Sequence, residues 1–78
     1  MKTTQYFDYT KKRPDRAWIK QEWIEFVINN PTKIEVQSDG RIKKWAKIPA
    51  EDKYLRVILL EDEETVHNAF FDRSFKED

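Results

Sequence analysis

The sequence predicts an α+β domain: an N-terminal strand and a helical segment packed on one face of an antiparallel sheet of about four strands. Three observations carry this expectation. Residues 16–29 place Ile19, Trp23, Phe26 and Val27 at helical spacing. The chain beyond Thr32 breaks into short runs of alternating or apolar residues separated by turn residues. Between two of those runs stands Asp39-Gly40, a strong hairpin signal.

The elements are justified in chain order. Residues 2–9 alternate loosely and carry Tyr6, Phe7 and Tyr9, which reads as a short first strand. Residues 11–15 form a turn. Pro14 favours a helix start and Asp15 can cap it, or the two residues can themselves form the first turn. The helix covers residues 16–29, with Trp18, Ile24 and Ile28 widening its stripe, either as one piece or broken near Lys20. Asn29-Asn30-Pro31 ends it, because the residue before proline avoids the α region. Strands follow over residues 34–37, 41–48, 53–60 and 65–71. Ser38-Asp39-Gly40, residues 49–52 and residues 61–64 supply the turns, and a tail or short cap closes the chain over residues 72–78.

Composition sets the limits. Seventy-eight residues make a single domain, residues 1–78. A chain this short buries only about 60 % of its unfolded surface, so its core is thin. It has no cysteine, and eleven aromatic residues must supply what a disulfide would have given. No signal-peptide pattern stands near Met1, and the longest apolar run, residues 57–60, is far short of the ~20 residues of a membrane span. A cytoplasmic protein without membrane contact is expected. One histidine and no cysteine exclude a zinc site, and one glycine excludes a glycine-rich phosphate loop, so neither a metal nor a cofactor is expected.

The formal net charge is zero, from 15 basic and 15 acidic residues. The charges are unevenly placed. Lys11, Lys12, Arg13 and Arg16 cluster early, and Arg41, Lys43, Lys44 and Lys47 cluster in mid-chain. Acids gather at residues 61–64 and at Glu77-Asp78. A basic face of this kind can bind a polyanion despite neutral overall charge.

Two constellations carry chemistry. Leu55, Val57 and Leu59 share one face of their strand and should meet the helix, which turns Arg56 to the open face. In the last strand Val66, Asn68 and Phe70 share one face, and His67, Ala69 and Phe71 the other. Each face has two apolar residues, so the facing of His67 is open. If His67 joins Arg56, the pair reads as a proton carrier beside an anion clamp. The same residues also read as an arginine paired with a carboxylate and a half-buried histidine. The second constellation is Arg41, Lys43 and Lys47 around Trp45, with Lys44 beside them: charge for RNA phosphates and a ring for stacking a base. Its plainer reading is a solvated face whose lysine stems cover Trp45.

Asn30-Pro31, Asp39-Gly40-Arg41, Tyr54-Leu55-Arg56-Val57 and Asp72-Arg73 give the chain, from about residue 13 to 73, a pattern that resembles a group of small bacterial proteins. That group is distantly similar to the RelE/ParE-like toxin superfamily. The resemblance implies a RelE-like sheet with a helical N-terminal part. It also implies metal-independent cleavage of RNA, usually on the ribosome, with an antitoxin-like protein as a partner. Arg56 and Arg73 match basic residues of the superfamily pattern. The expected catalytic set is then His67, Arg56 and Arg73, with Arg41, Lys43, Lys44 and Trp45 binding RNA. The alternative expectation is a non-catalytic protein-interaction domain.

Overall fold

In the computed structural model, described over residues 1–76, two short helices pack on a four-stranded antiparallel sheet. The order is α1 (Gln5–Thr10), α2 (Gln21–Asn29), β1 (Lys33–Val36), β2 (Ile42–Ile48), β3 (Lys53–Leu59) and β4 (Val66–Phe71). The strands lie side by side in chain order, β1-β2-β3-β4. The expected α+β arrangement is therefore present. The acidic end at Glu77 and Asp78 lies outside the described residues.

The N-terminal strand is corrected to a single bridge and a helix. Thr3 alone bridges Val66, in parallel, with Thr4 N–H donating to the Val66 carbonyl and Val66 N–H to that of Lys2. Thr4 then caps α1, its hydroxyl accepting from the Phe7 N–H at 3.1 Å. Only one of the three aromatics, Phe7, is buried; Tyr6 and Tyr9 are exposed. A strand would have needed a buried face, and one buried ring per turn suits a helix instead.

The second helix begins at Gln21 rather than Arg16: the chain does break at Lys20, but the residues before the break form turns and not a second helical piece. Residues 13–19 form tight turns, with Ala17 N–H on the Arg13 carbonyl at 2.7 Å and Ile19 N–H on that of Arg16 at 3.0 Å. Lys20 occupies the N-cap with extended backbone and no side-chain cap. From there Ile24 and Val27 enter the core, and Trp23 and Ile28 pack beside them.

The core lies between the helices and one face of the sheet. Leu55, Val57 and Leu59 are fully buried there, with Ile42, Ala46 and Ile48 from β2. In β4 a bulge settles the competing faces. Leu59 pairs with Val66 but Ile58 pairs with Asn68, leaving His67 as the extra residue. The skip resets the alternation, so Val66 and then Ala69 and Phe71 all face the core. The hairpin between β1 and β2 turns on Gly40, whose φ of 90° lies in the region that favours glycine.

Candidate functional site

The face of the sheet turned away from the helices carries a row across three strands: Trp45 on β2, Arg56 on β3 and Phe70 on β4 are register partners. The Arg56 guanidinium lies between the two rings, 5.4 Å from the Trp45 centroid and 4.9 Å from that of Phe70. Its Nε and Nη2 donate to Asp72 Oδ2 at 3.1 and 2.6 Å. Trp45 Nε1 donates to the same oxygen at 3.0 Å. The other carboxylate oxygen accepts from the Ser74 N–H and hydroxyl at 3.0 and 2.7 Å. Phe75 stacks on Trp45 at 5.1 Å and tilts against Tyr54 at 4.8 Å.

These contacts explain the electrostatics. Burial alone would raise the Asp72 pKa, since its side chain is only 7 % exposed. The bonds from Trp45, Ser74 and Arg56 outweigh burial and hold the carboxyl well below its ordinary 3.8. Asp72 is thus an anion at neutral pH, and it neutralises Arg56. The arrangement is an internal ion pair roofed by aromatic rings. The sequence reading does not single out Asp72 as the carboxylate beside Arg56; its place just after β4, across from the open face of β3, was the available signal.

His67 stands at the other end of β4. Its Nδ1 lies 3.2 Å from the Thr4 hydroxyl, and its ring stacks on Tyr6 at 4.9 Å. Burial lowers its pKa from the ordinary 6.5 and Arg41 lowers it further, against an opposing effect of Asp39. The imidazole is neutral at neutral pH. Arg56 pairs with Phe70, three positions further on, or roughly 10 Å along a strand. Arg73 is exposed in the turn beyond the far end of β4. His67 and Arg73 thus stand toward opposite ends of β4, and Arg56 is held on Asp72 between them.

The expected RNA-binding residues also separate. Arg41 lies in the hairpin, 3.8 Å from the Asp39 carboxylate. Lys43 pairs with Glu35 across β1 and β2 at 3.7 Å. Lys44 points the opposite way from Lys43, toward the helices, where its Nζ donates to the Ile28 carbonyl at 3.0 Å. Strand alternation gives the reason: Lys44 shares its face with Ile42 and Ala46. Trp45 is only 5 % exposed, so no base can stack on it while Phe75 is in place.

Two features escaped the sequence reading. Arg16 reaches Asn68 Oδ1 at 2.6 Å and lies 5.1 Å from the Phe70 ring. This contact spans 52 residues and has no local signature. The other is β1, whose Ile34 and Val36 are 55 % and 68 % exposed. Their alternation with Lys33 and Glu35 was visible, but not that the helices would leave this strand uncovered.

Among the described residues no three His, Cys, Asp or Glu side chains gather as a metal site, and no helix is long and apolar enough to cross a membrane. Comparison with protein-family models, curated proteins and solved structures finds no match to the chain.

Proposed function

We propose that this protein is a non-catalytic interaction domain that binds an extended polypeptide segment along the β1 edge. The observation that carries this reading is the exposure of Ile34 and Val36 on a strand paired on one side only. An open edge offers backbone donors and acceptors for affinity and alternate side chains for selection. The opposite reading, RNA cleavage, requires free cations and a proton carrier at one place. Here Arg56 is neutralised by Asp72, and His67 and Arg73 stand at opposite ends of β4.

The test has two arms. Purified chain is incubated with RNA and with translating ribosomes, beside His67→Ala and Arg56→Ala. No cleavage by any of the three is expected; cleavage by the parent chain that disappears in His67→Ala would overturn the reading. In the second arm a photo-crosslinking residue replaces Ile34 or, as control, Arg73, in cells. Covalent joining to a polypeptide is expected from position 34 and not from 73.

A further inference from the structure

The β1 edge carries enough information to name its occupant. Gln37 N–H donates to the Arg41 carbonyl at 2.7 Å, which makes that pair a hydrogen-bonded one. In an antiparallel ladder such pairs alternate with non-bonded pairs. Glu35 opposite Lys43 therefore turns its backbone groups toward β2, while at the start of the strand the Trp45 carbonyl accepts from the Thr32 N–H at 2.8 Å. The N–H and C=O groups of Ile34 and Val36 point away from the sheet. A new antiparallel strand must bond to those residues.

The side chains then restrict which strand fits. Lys33 and Glu35 project on the open face, where Glu35 already holds Lys43 and Lys33 lies 5.9 Å from the Trp45 ring. Ile34 and Val36 project on the helix face. The segment is complementary to itself. When two copies run antiparallel with Ile34 opposite Ile34, each Lys33 faces Glu35 of the second copy. That gives two cross-strand ion pairs and an extended charge row, Lys43–Glu35–Lys33 of the second copy. Ile34 meets Ile34 on the other face, covering apolar surface that one copy leaves in water. The backbone parity is met at the Ile34 pair, where both copies have outward groups; Val36 falls opposite Thr32 of the second copy, whose N–H is turned inward onto the Trp45 carbonyl at 2.8 Å, so the shared ladder is short and centred on Ile34.

The neighbouring registers fail on physical grounds. Centring on Glu35 sets Glu35 directly against Glu35, and like charges facing each other are destabilising. A shift by one residue pairs outward with inward backbone groups and forms no ladder.

From this complementarity we infer that β1 is a self-pairing edge: a second copy of the chain adds its own β1 in the Ile34-centred register, joining two four-stranded sheets into one of eight. The inference rests on the reading of β1 as a binding edge and names its partner.

The experiment is sedimentation equilibrium of the full chain over a wide concentration range, with charge variants. The parent chain should show a concentration-dependent dimer. Lys33→Glu alone and Glu35→Lys alone should each weaken it by about tenfold, because each converts two attractive pairs to repulsive ones. Lys33→Glu combined with Glu35→Lys should restore much of it, because the two pairs between copies re-form while the Lys43–Glu35 pair within each copy stays lost. Restoration is specific to this register, since a Glu35-centred pairing would still oppose like charges in the double variant. Circular dichroism of each variant confirms the fold. A parent chain monomeric at every concentration, or a double variant as weak as the singles, overturns the inference. A monomer that still crosslinks from position 34 to a different polypeptide in cells leaves the interaction-domain reading standing. RNA cleavage dependent on His67 removes that reading itself.

Discussion

The two edges of this sheet are handled in opposite ways. The β4 edge is covered. Thr3 bridges it, Arg16 bonds Asn68, Trp18 stacks on Phe71 at 5.1 Å, and the bulge at His67 interrupts its pairing. The β1 edge has four exposed residues and a neighbour on one side only. Unpaired edges invite association, and proteins usually blunt them with helices, bulges or charge. This chain uses all three at β4, while at β1 it has one Lys and one Glu on a single face. The contrast leaves β1 as the edge that the proposed pairing would use, while the buried core contributed by the strands lies in β2, β3 and β4.

The strongest way to break that division is to disrupt the covered side at Asp72. Asp72→Ala leaves the Arg56 guanidinium between two rings without its carboxylate and removes the acceptor for Trp45 Nε1. A loss of about 3 kcal/mol is expected, because an unpaired, partly buried charge is costly. Chemical denaturation would measure it, and a loss under ~1 kcal/mol would show the ion pair to be incidental. The sign with pH follows from the depressed carboxyl. The folded state holds the anion more firmly than the unfolded chain does, so this contribution is present above the ordinary 3.8 and is lost as acid protonates the group. Acid unfolding of the parent should thus be steeper than that of Asp72→Ala.

A second perturbation targets the hairpin that carries β1. Gly40 has φ 90°, and an added Cβ would lie 2.6 Å from Cγ of Glu61, a side chain that can swing aside. The backbone strain remains after that adjustment. Gly40→Ala should cost about 1–2 kcal/mol in thermal or chemical unfolding. It tests whether the open edge is held rigidly by its turn; an effect near zero would mean that the hairpin opens independently of the rest.

The third perturbation acts on His67, in the bulge that interrupts the covered edge. Its pKa is lowered in the fold, so the unfolded chain takes up a proton first as pH falls below about 6.5. Stability should decline from pH 7 toward mildly acid pH and level off once the folded imidazole is protonated too. His67→Gln should flatten that part of the profile. Unchanged pH dependence in the variant would place the titration elsewhere.

These contrasts also show what the amino-acid sequence made legible. Periodicity identified the strand cores at Leu55, Val57 and Leu59, the Asp39-Gly40 turn and the helix over Trp23–Val27, because each depends on neighbours a few positions away. The N-terminal strand was misread because Tyr6, Phe7 and Tyr9 fit either period, and the Thr4 cap decided between them. The facing of His67 was undecidable from alternation alone, since a bulge breaks the period on which that argument depends. That Arg56 pairs with a carboxylate was one of two readings, but nothing in the spacing named Asp72 as that carboxylate. Its aromatic roof depends on Phe75 folding back over Trp45, a contact without local signature.

The smallest effect on stability is expected at the open edge, and it is the most discriminating. Ile34→Thr keeps a β-branched side chain and removes apolar surface that is already more than half in water. Its effect on unfolding of the monomer should lie within about 0.5 kcal/mol. The same substitution removes the apolar contact at the centre of the self-pairing register, so dimerisation should weaken clearly while monomer stability hardly moves. Denaturation at low concentration and sedimentation at high concentration would separate the two. Equal loss in both would mean that Ile34 supports the fold and that β1 is less open than its exposure indicates. Loss of association alone is what distinguishes an edge left open for binding from one that is simply unfinished.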